Sequence, residues 1–396
     1  MSLQYIFGGS GAGKSTYLYN SIIKESIKNP LENYIIVVPE QYTMATQKRV
    51  VELHPRKGVL NIDVVSFERL AYKVFEEVGA ADYPVLDDTG KNLIVRRVLE
   101  QNKKALRFFG SNISNTGFVS ELKSVISEML QYDISVDKLL DINKNVDNNS
   151  LLGMKLDDIS LIYGGFREFI KNNYITSEEI LDLMCRKVTE SSKIRGSVIA
   201  FDGFTGFTPV QYRLMAILLD MCKEVKVALT IDISEHVNIN EGIESLFYMT
   251  KDTVAHLNRI CDEGHINVDK VTVGEDTVLT RFAASKELAF LEKNIFRPGL
   301  RYYSGKVNDI VMYAGITPKD EIQYVSGEIL KLTRLQGFRY NEIAVVTGDI
   351  SVYGKLAANI FAQNDIPYFL DQKLHVTDNC LVEMITAVLD LSLIHI

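Results

Sequence analysis

The chain has 396 residues, 46% hydrophobic and 24% charged, with 43 Lys+Arg against 51 Asp+Glu for a formal net charge of −8. That length allows roughly two to four domains and ample core, the composition excludes wholesale disorder, and the acidic balance excludes a non-specific nucleic-acid coat while leaving a local basic groove open. Cys185, Cys222, Cys261 and Cys380 are widely separated and form no C-x-x-C pair, which indicates reduced thiols rather than a zinc site or a disulfide framework.

No apolar run reaches the roughly 18 residues of a membrane span. The first seven residues, MSLQYIF, lack the basic n-region of a signal peptide, so a cytoplasmic location without membrane contact is expected. Residues 3–7 are a short apolar strand candidate. They lead into Gly8-Gly9-Ser10-Gly11-Ala12-Gly13-Lys14-Ser15, which fits G-x-x-x-x-G-K-[ST] without a mismatch. Residues 16–28 read as a helix with Leu18, Ile22, Ile23 and Ile27 on one side, closed by Asn29-Pro30. The β-branched run at 34–38 then completes a βαβ unit with a buried parallel strand.

This context gives the loop its chemistry. Glycines let the backbone turn sharply, so that its N–H groups surround a β-phosphate at a helix N-terminus. Gly8 to Ser15, together with Thr16, are the expected ATP contacts: Lys14 bridges β- and γ-phosphate oxygens and the Ser15 hydroxyl ligates Mg²⁺. The plainer alternative is a glycine-rich turn with a chance lysine.

Gln41, Tyr42 and Thr43 follow the second strand, and Ser66, Phe67 and Arg69 follow a third apolar stretch. Residues just past strand C-termini are where open α/β sheets bind ligands, so these six are candidate DNA contacts, with Phe67 available to stack on a base. Core packing is the competing reading for Phe67. Tyr83-Pro84 and Asp87-Asp88-Thr89-Gly90 mark a boundary, after which helical spacing dominates at 91–101, 118–130 and 159–170. The cluster Lys91, Arg96, Arg97, Lys103, Lys104, Arg107 either touches phosphates or is a solvated helix face. Asp141 to Ser150, with Asn143, Asn145, Asn148 and Asn149, reads as a polar surface loop.

The run Ser197-Val198-Ile199-Ala200-Phe201-Asp202 is an apolar strand ending in an acid, and Asp202 is the expected second member of the Mg²⁺ shell; an Asp that merely caps a loop is the alternative. The following residue is Gly203, which offers no proton acceptor, so general-base catalysis, typically worth roughly 10²–10⁴-fold, is not available from that position. A helix at 211–221 and a parallel strand at 225–231 continue the core. A second α/β unit is expected from residue 307, with strands at 309–313 and 343–346 around a helix at 321–335. The six histidines show no ligand spacing. The final ten residues, AVLDLSLIHI, stay apolar to the end, as expected of a fragment of a longer chain.

Four further strings add specificity: P-E-Q-Y-T at 39–43, V-V-S-F-E-R-L at 64–70, A-F-D-G-F-T-G-F-T-P-V-Q at 200–211 and I-P-Y-F-L-D at 366–371. In this order, and along essentially the whole chain, they resemble superfamily 1 helicases and more closely the AddB (RexB) family, the B subunits of the bacterial ATP-dependent helicase/nuclease AddAB. The resemblance implies a P-loop core of 1A type at 1–83 and 196–306, a helical 1B-like insertion at 84–195 and the start of a 2A-like α/β domain at 307–396. It also implies an AddA-type partner that acts as the motor, DNA as substrate, and a role in double-strand break repair by homologous recombination. By the same resemblance the B subunit reads the regulatory DNA sequence, and its exonuclease and 4Fe–4S cluster lie further C-terminal. The sequence departs from an active helicase in three places. The acidic pair of the second motif is Asp202-Gly203, Gly348 stands where a phosphate-contacting arginine is expected, and no adenine-reading glutamine segment precedes the loop. The expectation is therefore a nucleotide-binding scaffold with weak or absent hydrolysis, against the alternatives of a self-sufficient P-loop kinase or switch ATPase, or a binding module whose loop stays empty.

Overall fold

The computed structural model describes residues 1–396 except 80–83, 112–114, 145, 148–149, 172–173, 240–241, 275–280, 298, 372–375, 377–378 and 396. Tyr83 of the boundary signal and Asn145, Asn148 and Asn149 of the polar loop lie outside the described residues. The chain divides into two compact units, Met1–Arg301 and Tyr302–Ile396.

The strands of the first unit are β1 (Ser2–Gly8), β2 (Tyr34–Val37), β3 (Ile62–Val65), β4 (Val85–Leu86), β5 (Ile175–Thr176), β6 (Val198–Phe201), β7 (Glu224–Thr230) and β8 (Asn267–Thr272). Its helices are α1 (Lys14–Lys28), α2 (Thr43–Leu53), α3 (Phe67–Val78), α4 (Asp88–Asn102), α5 (Thr116–Gln131), α6 (Val136–Asn143), α7 (Leu151–Ile170), α8 (Ile180–Lys187), α9 (Pro209–Met221), α10 (Tyr248–Glu263) and α11 (Lys286–Asn294). Six strands form one parallel sheet in the order β3-β2-β6-β7-β1-β8, and β4 pairs with β5 separately.

The sheet is apolar on both faces because helices cover both, as crossover connections between parallel strands require. Alternate side chains divide between the faces. Leu3, Tyr5 and Phe7 of β1 enter one core with Val37, Ile199, Phe201, Val227 and residues of α3, α8, α9 and α10. Ile6 enters the other, with Ile36, Val198, Ala200 and the α1 residues Leu18, Ile22 and Ile23. Phe201 is fully buried, and truncating such a ring to Ala costs about 3–5 kcal/mol.

Local signals fix the helix starts. Ser66 caps α3 by accepting from the Arg69 N–H, and Thr208 with Gln211 forms a reciprocal capping box at α9, where Pro209 needs no hydrogen-bond donor. The T-P-V-Q part of the long string at 200–211 thus has a structural purpose of its own.

Residues 86–170 build a separate hydrophobic core from α4, α5, α6 and α7, including Val95, Leu99, Ile126, Ile162 and Phe166. Asp158 organises it by accepting from the main-chain N–H groups of Arg107, Phe108 and Phe109, each at 2.8 Å. By contrast α8 packs on the sheet-side core through Ile180, Met184 and Cys185. Asn143 is buried at the end of α6 and donates to Asp157, so it is not a solvated loop residue.

Four of the six residues of the basic cluster have partners within the chain, while Lys103 and Lys104 are exposed. Lys91 is 2% exposed and bound to Glu178 at 2.8 Å; Arg96 pairs with Glu100, Arg107 with Asp157, and Arg97 lies over the Phe169 ring.

The second unit contains α12 (Pro318–Leu335), α13 (Ile350–Gln363) and α14 (Cys380–His395); α12 and α13 supply a small core of Ile322, Ile329, Ile360 and Phe361, joined by Ile366. The strands expected at 309–313 and 343–346 are not formed. Both stretches lie outside any ladder, with Val311 71%, Met312 95% and Val346 91% exposed. Their β-branched composition favours an extended backbone, but a strand also needs a neighbour about 4.8 Å away to pair its N–H and C=O groups.

Candidate nucleotide site

The glycine loop leaves the C-terminal end of β1 and runs into α1. Backbone geometry requires glycine at two kinds of position here. A Cβ on Gly8 would sit 2.6 Å from the Val273 carbonyl, whereas Gly11 and Gly13 hold φ values of 74° and 92° in the left-handed region. Gly13 is the N-cap of α1 and supplies no capping side chain, and among the described residues nothing lies within 4 Å of a Cβ built on it. α1 thus begins without a side-chain cap, at the positive end of a 15-residue helix. The Lys14 ammonium donates to the Gly9 carbonyl at 2.8 Å, folded back across its own loop. Burial lowers its pKa, the Asp202 carboxylate works against that, Arg281 reinforces it and Glu292 opposes it.

Asp202 follows β6, which β7 separates from β1. It is 6% exposed, its N–H donates to the Val37 carbonyl at 3.1 Å, and its Oδ2 accepts from the Tyr19 phenol at 2.6 Å. Burial raises the Tyr19 pKa, as does the neighbouring Asp202 charge, while hydrogen bonds with Thr46 and Ser15 pull the other way. Ser15, Tyr19 and Asp202 thus meet in one hydroxyl–carboxylate network beneath the loop. The two hard oxygen donors, Ser15 Oγ and Asp202 Oδ1, suit Mg²⁺, which commonly uses one or two protein oxygens and completes its shell with phosphates and water. Among the described residues no group of three or more His, Cys, Asp or Glu is arranged to hold a metal.

Gly203 has φ 80°, and a Cβ there would touch Pro39 at 3.4 Å and Tyr42 at 3.8 Å. The position that would carry a water-activating acid is therefore shaped for glycine. Gly348 is exposed in the second unit.

The candidate DNA contacts divide. Gln41, Tyr42 and Arg69 are exposed near the C-terminal ends of β2 and β3, with Arg69 bonded to Glu40 at 3.1 Å. Thr43 is buried and donates to the Glu40 carbonyl, and the Ser66 hydroxyl is used as the α3 cap. Phe67 is 7% exposed, with Phe201, Phe204 and Phe207 around its ring at centroid distances of 5.6, 5.3 and 6.3 Å. Its ring is core, not a stacking platform, because the apolar β6–α9 turn encloses it.

Sequence reasoning passed over three contributors. The Arg281 N–H donates to the Gly11 carbonyl at 3.0 Å, and Arg281 and Phe282 stand within 3.3 Å of a Cβ built on Gly11. Glu292 on α11 lies 3.8 Å from a Cβ built on Gly9. These residues are about 270 positions from the loop, and no motif marks them. Tyr19 was detectable only as one more aromatic on an amphipathic helix.

Sheet, loop and acid define a parallel α/β protein with a phosphate-loop sequence at the end of its first strand. A family model described as ADDB, N-terminal, matches residues 5–292. The chain is 41% identical over 393 residues to the ATP-dependent helicase/deoxyribonuclease B subunit of Lachnoclostridium phytofermentans, covering 98% of this chain and 34% of that protein. It is 32% identical over 391 residues to the protein of that name from Clostridium novyi, covering 99% and 34%. It is 33% identical over 400 residues to that from Caldanaerobacter subterraneus subsp. tengcongensis, again covering 99% and 34%. The chain belongs to the AddB N-terminal family, and it spans about a third of the length of the curated relatives it matches.

Proposed function

We propose that this chain is the nucleotide-binding, helicase-like N-terminal part of the B subunit of an ATP-dependent helicase/deoxyribonuclease, acting with an AddA-type partner on DNA during double-strand break repair by homologous recombination. On this reading residues 1–83 and 196–306 are the P-loop core, 84–195 a 1B-like insertion and 307–396 the start of a 2A-like domain. The exonuclease and any 4Fe–4S cluster belong to the remainder of the protein.

The observation that carries the proposal is the convergence of the Lys14 loop and Asp202 from two non-adjacent strands at one end of a parallel sheet. Open α/β sheets bind ligands at such C-terminal ends. When bound, Mg²⁺ would neutralise phosphate charge, with Ser15 and Asp202 as the residues to hold it. The chain itself surrounds the phosphates with main-chain N–H groups, moves Lys14 from Gly9 to the phosphate chain, and holds the metal shell through Ser15 and Asp202. Arg281 adds a cation beside Gly11. Proton removal from an attacking water is not provided at Gly203, so bound ATP turns over slowly, and the site serves binding and DNA-reading geometry rather than translocation.

Equilibrium binding of ATP with Mg²⁺, compared between the wild-type chain and Lys14→Ala, tests the reading. Loss of binding in the variant is expected, and equal binding by both proteins would overturn it. Robust turnover by the wild-type chain would instead favour a self-sufficient ATPase or kinase.

A further inference from the structure

The glycine loop is contacted by a stretch from the far end of the first unit, Arg281–Arg297, which contains α11. The stretch is pinned at both ends. Where it begins, the Arg281 N–H donates to the Gly11 carbonyl at 3.0 Å, and the side chains of Arg281 and Phe282 pack against Gly11. Where it ends, Arg297 pairs with Asp232 and donates to the Ser234 hydroxyl at 3.3 Å; both partners follow β7, the strand beside β1. Between the pins, Ser285 caps α11 by accepting from the Leu288 N–H, and the last turn of the helix carries Glu292 to the loop. Its Oε1 lies 3.8 Å from a Cβ built on Gly9, the residue whose carbonyl holds the Lys14 ammonium. The stretch thus meets the loop on either side of Ser10.

Glu292 is exposed and makes no hydrogen bond or ion pair among the described residues. The loop supplies the opposite charge: Lys14 and the positive end of α1 attract a carboxylate, and the Glu292 charge in turn bears on Lys14. Phosphate groups are drawn to the same helix end, and like charges a few ångströms apart in a partly buried site repel strongly. We propose that Arg281–Arg297 is an autoinhibitory strap, which holds Glu292 against the loop as a competing anion and lifts from Gly9 when a nucleotide's phosphates bind. This inference rests on the nucleotide-site reading above and adds its regulation. The partly buried Arg297–Asp232 pair is the catch that keeps the strap down.

Calorimetric titration with ATP and with ADP, in the presence of Mg²⁺, compares the purified wild-type chain with Glu292→Gln, which removes the charge and keeps the shape. The variant is expected to bind ATP on the order of tenfold tighter and ADP by a smaller factor, because the repulsion grows with the charge of the ligand. The gain is expected to shrink at high salt. Asp232→Asn, which frees Arg297, is expected to tighten ATP binding as well, and to add less on the Glu292→Gln background. Hydrogen exchange of the α11 amides is expected to quicken when ATP saturates the wild-type chain. ATP affinity unchanged or weakened by Glu292→Gln, a gain equal for both ligands and at both salt concentrations, or α11 amides indifferent to ATP each overturns the strap. No ATP binding by any of these proteins, or binding that Lys14→Ala leaves untouched, overturns the nucleotide reading together with the strap. Binding that Lys14→Ala abolishes and Glu292→Gln leaves at the wild-type Kd overturns the strap alone.

Discussion

Gly203 shows how one backbone angle limits chemistry. At φ 80° it occupies a region that costs a side-chain-bearing residue roughly 1–2 kcal/mol, and Pro39 and Tyr42 border the space a Cβ would take. Gly203→Glu is therefore expected to lower the melting temperature without raising ATP turnover, as followed by phosphate release. A hundredfold gain, the order a well-placed general base supplies, would show that the missing acid was the sole deficit. At this scale the loop was readable because its chemistry is local: eight consecutive residues set the turn, the charge and the hydroxyl. Tyr19 and Arg281 were not readable because their importance arises from contacts with residues 183 and 270 positions away. Phe67 shows the converse, an aromatic whose position after a strand fits either base stacking or packing until its neighbours are known.

Among elements, the junction returning the chain from α8 to β6 depends on α3. Glu77, in the last turn of α3, accepts from the Ser191 and Ser192 hydroxyls at 2.6 Å and from the main-chain N–H groups of Ser192 and Lys193 at 2.8 and 3.2 Å. Burial alone would raise its pKa, but these hydrogen bonds outweigh it and hold the group at about 2 against an ordinary 4.5. A depressed carboxylate pKa stabilises the fold fully above the ordinary value, and that contribution is lost as pH falls through the folded-state value. Glu77→Gln is thus expected to cost about 1–3 kcal/mol near neutral pH, judged from hydrogen bonds to a charged group. The gap between wild type and variant in denaturant midpoints should close as pH falls from 4.5 toward 2. A gap independent of pH would mean that Glu77 acts through shape rather than charge. The strongly apolar strands β1, β2, β6 and β7 were legible as buried strands. β8 was not, because its exposed Asn267, Asp269 and Lys270 give an edge strand the composition of a loop.

For the whole molecule, the two units differ in how well they enclose their apolar residues. In Met1–Arg301, Cys185, Cys222 and Cys261 are buried, and burial pushes each thiol up to about 11; Cys380 of the second unit is exposed. Thiolate is the reactive form, so alkylation at pH 8 is expected to modify Cys380 rapidly and the other three only on unfolding, as read by intact mass over time. Rapid modification of all four would mean that the first unit opens readily. No helix among the described residues is long and apolar enough to cross a membrane. One detail of strand order carries a last consequence. With β7 standing between β1 and β6, the lysine-bearing loop and the acid spring from points two strand spacings apart, roughly 10 Å. Were those strands adjacent, ammonium and carboxylate would meet across a single spacing and quench each other as a closed ion pair. The interposed strand provides clearance, which is what the proposed occupant, a polyanion's tail with a hydrated cation, would require.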